Sequence, residues 1–302
     1  MSDSQSNTQS HSQTPDQSKS GGAPHLLPGL YIVATPIGNL RDITLRALDV
    51  LHAADVIACE DTRTSRTLLN HYGINTATVP YHDHSDSRRR DALLDRVAAG
   101  EAVALVSDAG TPLISDPGFK LVREAREKGL KVEPVPGPSS VLAALCASGA
   151  PTDRFLFAGF PPTKTKARAE MFAELAPTRA TLVFMESAKR LPASLADMAA
   201  AFGDRRAVVA REITKLYETF REGTLAALAA AYAEEGPPRG EVVIVVDPPG
   251  EDEGPSEGAI DAMLRDALAA GDSVRDAADR VAGVTGLPRR KLYQRALALS
   301  GR

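Results

Sequence analysis

From Leu30 onward, short β-branched runs alternate with amphipathic stretches, the texture of an α/β fold built on mostly parallel strands. The runs Leu30 to Ala34, Val56 to Cys59, Val103 to Ser107 and Val132 to Val135 predict strands, and the stretches between them, such as Leu45 to Leu51 and Arg90 to Ala98, predict helices. A second block opens at FLFAGF from Phe155 and continues through LVFME (182–186), AVVA (207–210) and EVVIVV (241–246), with YETFREG (217–223) as a further strand candidate. Gly149 and Pro151 punctuate the join, which divides an N-terminal lobe (28–149) from a C-terminal one (150–247). DPPGEDEGPSEG then breaks the pattern and predicts an exposed linker over 248–257. Beyond it, Ile260, Met263, Leu264, Ala267 and Leu268 fall at helical spacing, Ser273 is placed to cap a second helix, and TGLPRR interrupts the chain before a third. The region 258–302 therefore reads as a small three-helix module. Residues 1–27 are Ser, Gln, Thr and Asp with few large apolar side chains, which predicts a disordered tail.

Composition changes this picture little. With 302 residues, 43% of them hydrophobic, the chain can bury a sizeable core. A formal net charge of -4 gives no overall pull toward nucleic acid, so any such contact has to come from local basic patches. The two cysteines, Cys59 and Cys146, sit in apolar stretches and read as small buried residues in a reducing compartment rather than a disulfide. No apolar run approaches the roughly 20 residues of a membrane span, and the first residues lack the features of a signal peptide, which points to the cytoplasm.

The chemistry gathers in the loops that follow the strands, where open α/β sheets bind ligands. ATPIGNLRDIT (34–44) carries Pro36 and Gly38, which let the backbone bend closely around a ligand or simply turn it from strand to helix. It is not the glycine fingerprint of a dinucleotide site. CEDTR places Glu60, Asp61 and Arg63 just past a strand end; a helix cap with a neutralising arginine is the default account of them, and a site reading gains only from their position. SDAGTPLISDPG (107–118) is the most informative: Asp108 precedes the small Ala109 and Gly110, so a negative charge and bare backbone groups meet without bulk, suited to a ligand carrying amino, carboxylate and sulfonium groups. In VPGPSS, Ser139 and Ser140 read equally as helix caps or as hydroxyls beside an anion- or adenine-reading helix start. His82 and His84 do not make a metal site, since no third ligand stands at a recognisable spacing. Walker A loops and Gly-x-Ser-x-Gly elbows are missing from the sequence, which leaves nucleoside triphosphatase and hydrolase readings unsupported.

In this order and spacing, ATPIGNLRDIT, CEDTR, SDAGTPLISDPG, PGPSS, FLFAGF and GEVVIVV resemble the tetrapyrrole methylase-like fold of class III S-adenosylmethionine-dependent methyltransferases. Within it they most resemble the bacterial 16S ribosomal RNA (cytidine 2′-O) methyltransferases of the decoding region, from about Leu30 to Arg302. The resemblance implies two α/β lobes, a homodimer, the 30S subunit as partner, and S-adenosylmethionine held by Pro36, Gly38, Asp108, Ala109, Gly110, Ile114, Ser115, Ser139, Ser140 and Gly240, with Met185 and Ala210 as weaker candidates.

An RNA substrate needs cations. Arg289, Arg290, Lys291 and Arg295 lie on or before the last predicted helix with no acidic neighbour in sequence, and Arg88, Lys164, Lys189 and their basic neighbours Arg90, Lys166, Arg168 and Arg190 add further clusters. A ribose hydroxyl is a poor nucleophile at neutral pH, so a base drawn from Glu60, Asp61, His82 and Glu186 is expected to take its proton, with Arg63, Lys189 and Arg211 gripping phosphates or carboxylates. The alternatives are a methyltransferase of the same fold acting on a tetrapyrrole or other small substrate, and a non-catalytic ribosome-binding protein that keeps the cofactor pocket as a sensor.

Overall fold

The computed structural model describes residues 26–82, 87–116, 118–250, 257–285 and 287–300. The tail expectation for residues 1–25, His84, and the linker residues 251–256 lie outside the described residues. By contacts the chain divides between Ser139 and Ser140.

In the first unit the order is β1 (Gly29–Val33), α1 (Leu45–Ala53), β2 (Val56–Cys59), α2 (Thr62–His71), β3 (Thr78–Pro80), α3 (Ser87–Ala98), β4 (Ala102–Val106), α4 (Phe119–Glu127) and β5 (Val132–Val135). The strands pair in the order β3-β2-β4-β1-β5, every pairing parallel. Helices cover both faces, which is why β2 and β4 are apolar at every position and show no alternation. Ala47, Val50 and Leu51 of α1 and Leu68 and Leu69 of α2 pack on one face; Leu93, Leu94 and Val97 of α3 and Leu121 and Ala125 of α4 pack on the other. Thr44 starts α1 by accepting the Ala47 N–H at 3.1 Å.

The second unit begins with α5 (Ser140–Ser148) and continues through β6 (Phe155–Gly159), α6 (Thr165–Leu175), β7 (Thr181–Ser187), α7 (Leu191–Phe202), β8 (Arg206–Arg211), β9 (Thr219–Thr224), α8 (Leu225–Glu235) and β10 (Glu241–Val246). The contact division thus falls before α5 rather than at 149/150, because Val141, Ala144 and Leu145 bury against Val183, Ala210, Val243 and Val245 of this sheet. Its strand order is β6-β7-β10-β8-β9. Only β6 and β7 run parallel; the other three pairings are antiparallel, so the mostly parallel texture belongs to the first sheet. Cys146, expected buried beside Cys59, is exposed, since α5 is apolar on all sides and its neighbours in sequence do not reveal which side meets the sheet. The opposite face of the sheet packs on α6, α7 and α8 around Phe172, Phe184 and Phe202, whose rings meet at centroid separations of 5.4 to 6.2 Å.

The last three helices, α9 (Glu257–Ala269), α10 (Val274–Thr285) and α11 (Arg289–Leu299), enclose a core of their own from Ile260, Leu264, Ala267, Ala277, Ala278, Val281, Leu292 and Ala296. Ser273 caps α10, accepting the Asp276 N–H at 3.2 Å, as its position predicts. Among the described residues, no helix is long and apolar enough to cross a membrane.

Replacing Phe172, fully buried between Phe184 and Phe202, with Ala should cost about 3–5 kcal/mol. A urea titration followed by circular dichroism checks this; an unchanged midpoint would show that the aromatic cluster does not hold the second sheet to its helices.

Candidate active site

Because the first sheet is all parallel, the loops after its strands share one edge. The chain leaves β1 for α1 on one face and leaves β4 for α4 on the other, although the two strands are neighbours. Such divergence opens a crevice between adjacent strand ends. Its floor is a reciprocal backbone bridge: the Thr35 N–H donates to the Gly110 carbonyl at 2.9 Å and the Gly110 N–H returns to the Thr35 carbonyl at 3.0 Å. The buried Thr35 Oγ1 donates to the Ser107 carbonyl at 3.3 Å, and Ser107 Oγ to the Ala109 carbonyl at 3.2 Å, so side chains fix the bend from below.

Above this floor Asp108 and Ala109 are exposed and Gly110 is buried, with φ at 80°. Leu113 and Ser115 also have positive φ, 74° and 63°, conformations that cost a bulky L-residue about 1–3 kcal/mol each and concentrate at ligand clamps. Ile114 between them is turned outward, 42% exposed. From the neighbouring β5, a Cβ on Gly137 would lie 2.9 Å from the Ala34 Cβ, so only glycine lets that loop close on the end of β1. Thr111 Oγ1 ties the two loops by donating to the Pro138 carbonyl at 3.1 Å. Pro36 is buried in the first loop and Gly38 exposed; Ser139 and Ser140 are half-buried on either side of the division between the units.

Asp108 also reaches sideways. Its Oδ1 accepts the Asp61 N–H at 3.0 Å, linking the β4 and β2 loops, while Oδ2 has no hydrogen-bond partner among the described residues. Asp61 is fully occupied: Oδ1 accepts the Arg63 N–H at 2.8 Å as the cap of α2, and the Arg63 guanidinium binds both carboxylate oxygens. Hydrogen bonding to Arg63 holds the Asp61 carboxyl below its ordinary range. The capping reading of this loop therefore accounts for Asp61, and a group held anionic so firmly is a weak proton acceptor. Arg63 itself is 91% exposed. Glu60 and His82 end adjacent strands, since Cys59 pairs with Pro80 and the Tyr81 N–H donates to the Cys59 carbonyl at 2.8 Å.

In the second unit, alternation sorts the expected residues by face. Met185, Val243 and Ala210 form one cross-strand row against α5, with Ala210 fully buried; Glu186, Val242 and Arg211 form the next row, on the opposite face. Glu186 does not stand ready as a base. Its carboxylate has no exposure, accepts from Ser194 Oγ and from the Ser187 N–H at 2.6 Å, and pairs with Arg190 at 2.6 Å, so it ties the end of β7 to α7. At the exposed Gly240, with φ at 99°, a Cβ would fall 2.3 Å from Glu212 Oε1, an oxygen fixed by Lys215 at 2.9 Å and by the Glu241 N–H at 3.0 Å.

Several expected RNA-binding cations are spent on partners distant in sequence. Arg289 pairs with Asp279 and Arg295 with Asp261, so acidic residues do stand beside both; α10 and α9 bring them there. Arg168 is buried against Asp197 at 2.7 Å, and Arg90 pairs with Glu124 at 2.8 Å. Arg88, Lys164, Lys189, Arg290 and Lys291 are exposed. Among the described residues, no cluster of His, Cys, Asp and Glu could hold a metal ion.

A family model described as tetrapyrrole (corrin/porphyrin) methylases matches residues 29–229, and one described as the RsmI C-terminal HTH domain matches residues 254–300. Fold and loop edge together define a methyltransferase of the tetrapyrrole methylase class. Solved structures share the architecture: a cobalt precorrin-4 methyltransferase superposes with a TM-score of 0.54 at 20% identity over 72% of this chain and 94% of that one, and a diphthine synthase with 0.53 at 18% over 72% and 89%. Closer in sequence are the Ribosomal RNA small subunit methyltransferase I of Mesorhizobium japonicum, 50% identical over 91% of this chain and 93% of that protein, and that of Escherichia coli O157:H7, 44% identical over 90% and 96%. The chain belongs to the ribosomal RNA small subunit methyltransferase I family.

The lowered Asp61 carboxyl gives a titration test. Any stability that the Asp61–Arg63 pair provides is present above the ordinary carboxylate range and is lost as pH falls through the lowered value. Carbon-detected NMR should find the Asp61 midpoint below that of a free aspartate, and Arg63→Ala should move it upward. A midpoint indifferent to Arg63 would break the link between cap and guanidinium.

Proposed function

We propose that this chain transfers the methyl group of S-adenosylmethionine to the ribose 2′-hydroxyl of a cytidine in the decoding region of 16S ribosomal RNA, acting as a homodimer on the small ribosomal subunit in the cytoplasm. The observation that carries the reading is the 50% identity along 91% of this chain and 93% of a ribosomal RNA small subunit methyltransferase I. A structural relative, a uroporphyrin-III C-methyltransferase from Thermus thermophilus, was crystallised with S-adenosyl homocysteine, which supports the choice of donor for this fold.

The residues at the β1–β4 crevice fit that donor. Asp108 offers a cationic group a carboxylate oxygen that has no hydrogen-bond partner among the described residues, and Ala109 and Gly110 offer main chain without bulk. Pro36 and Gly38 from the first loop, Ile114 and Ser115 from the strained turn, and Ser139 and Ser140 complete the set; of the second-unit candidates, Gly240 is exposed, whereas Met185 and Ala210 lie in the row packed against α5. When bound, S-adenosylmethionine supplies an electrophilic methyl group on a positively charged sulfur. The protein's task is then alignment of the ribose oxygen with that methyl group and removal of the hydroxyl proton. Glu60 and His82, which follow the ends of neighbouring strands at the loop edge, are the groups we assign to the proton; Asp61 pairs with Arg63, and Glu186 with Arg190 and Ser194. Arg63, anchored through Asp61 yet exposed, is suited to hold a phosphate near the ribose. Arg88, Lys164, Lys189, Arg211 and the helical module's Arg290 and Lys291 extend the grip, with Arg289 and Arg295 braced on their acidic partners.

Labelled-donor assays on purified 30S subunits should give transfer to 16S RNA, and mapping should place a 2′-O-methyl group on a decoding-region cytidine. Transfer confined to tetrapyrrole precursors would overturn the RNA assignment, and binding of donor and RNA without methylated product would overturn the enzymatic one. Asp108→Asn should weaken donor affinity. Removal of the true base, Glu60→Ala or His82→Ala, should lower kcat by about a hundredfold or more with donor affinity retained. If both variants turn over like the parent, neither group is the base, and if Asp61→Ala and Glu186→Ala do so too, no side-chain base operates.

A further inference from the structure

The second sheet has an edge whose residues the reading above uses only in part. Because β8 and β7 are each antiparallel to β10, and β6 is parallel to β7, three strands end at this edge while β10 and β9 begin there. Reading across it, β6 delivers Phe160 and then Lys164, β7 delivers Lys189, the turn into β10 carries Arg239, β8 ends on Arg211, and the hairpin into β9 carries Tyr217. Four strand spacings make the row about 19 Å long.

Charge along this row is left over after pairing. The nearby carboxylates are already occupied: Glu186 by Arg190, Glu212 and Glu241 by Lys215 at 2.9 Å each, and Glu218 by the Thr214 N–H. Lys164, Lys189, Arg211 and Arg239 have no ion pair among the described residues. Arg211 is the most telling, since its Nε is buried and has no hydrogen-bond partner among the described residues, a costly arrangement unless something from outside completes it. Two aromatic rings flank the cations: Phe160 is 52% exposed and Tyr217 is 68% exposed. Tyr217 is displayed rather than loose. Positive φ at Glu212 (52°) and Thr214 (65°) sets the hairpin, and Lys215 bolts it to the start of β10.

Resting on the RNA reading above, we propose that this edge holds an unpaired RNA strand, with Arg211, Lys189, Lys164 and Arg239 on successive phosphates and Phe160 and Tyr217 stacking on bases at its two ends. Stacking platforms alternating with cations suit a single strand, whose bases are free; in an A-form duplex the bases are stacked on one another and out of reach.

The probe is a fluorescein-labelled oligouridylate against a fully paired RNA duplex of equal length, measured by anisotropy with the full-length protein. The parent should prefer the single strand. Tyr217→Ala and Phe160→Ala should each weaken oligouridylate binding about tenfold, with Tyr217→Phe restoring it, since stacking needs the ring and not the hydroxyl. Arg211→Met should lower the slope of log affinity against log salt by about 0.7, the loss of one phosphate contact on a single strand, and Arg211→Lys should recover it. Donor affinity and the urea midpoint serve as controls for folding. Preference for the duplex, or parent-like oligouridylate binding by Tyr217→Ala and Arg211→Met, would overturn the proposal. So would a change in oligomeric state on Tyr217→Ala with RNA affinity intact, which would make the edge a protein interface. Methyl transfer by the parent to 30S subunits separates this failure from that of the RNA reading as a whole.

Discussion

Backbone N–H and C=O groups at the end of a parallel strand must find partners or stay in water, and at the ends of β1 and β4 they find each other. The paired hydrogen bonds between Thr35 and Gly110 close the sheet two residues beyond the end of β1 and four beyond the end of β4. Everything above them follows from that closure. The chain is forced to turn away from the sheet on both strands at once, toward helices on opposite faces, and the turn has to be made by residues that tolerate it. Gly110 takes the positive φ directly; Leu113 and Ser115 take it under strain, held by the packing of Leu113 and by Thr111 on the β5 loop. The crevice is thus the residue of a backbone accounting problem solved with small side chains, and Asp108 is the charged group left standing at its lip.

The second sheet solves a different problem. Its three central strands, β7, β10 and β8, are buried on both faces, yet consecutive residues near their ends carry different duties. The row of Met185, Val243 and Ala210 is sealed against α5, while the next row carries Glu186 and Arg211. A register shift of one residue would exchange the two sets, so the antiparallel pairing that fixes register also fixes which chemistry faces which way. The Glu186 clamp contributes here: with Arg190 and Ser194 on its carboxylate, the end of β7 and the start of α7 move as one piece, and Lys189 between them is held at the edge.

Much of this was legible in the sequence, for identifiable reasons. Strands such as Val56–Cys59, and Glu241–Val246 after its exposed first residue, are apolar throughout because both faces are covered, and such runs announce themselves. Thr78–Pro80 went unread because three residues at a sheet edge, half-buried and ending in proline, carry no periodicity to detect. The antiparallel character of the second sheet was equally silent, as alternation disappears when helices cover both sides. In the candidate site, small residues and glycines make the loops visible in the sequence, but the state of each charged group depends on partners far along the chain. Glu186 looked available because Ser194 lies eight residues on and Arg190 four, separations that become contacts only once α7 folds back on β7. Phe160 and Tyr217 show the same limit: the sequence places an aromatic residue at each of two loop boundaries, but that they share one sheet edge is a property of topology.

The same dependence on pairing settles how a chain of net charge -4 can address a polyanion. Counting lysines and arginines along the sequence overstates the useful positive charge, because Arg90, Arg168, Arg206, Arg221 and Arg289 are each spent on an acid. Counting net charge understates it, because screening over about 10 Å at ordinary ionic strength leaves a bound phosphate sensitive mainly to its own neighbourhood. What matters is the cation that folding has left without a partner and fixed in place. Arg211, partly buried with its Nε unmatched among the described residues, is of this kind; Arg63, although paired with Asp61, is 91% exposed and fixed by that pair. Both have given up conformational freedom before any ligand arrives, so a phosphate meeting them gains charge-assisted hydrogen bonds without the ordering cost that a mobile surface lysine would impose.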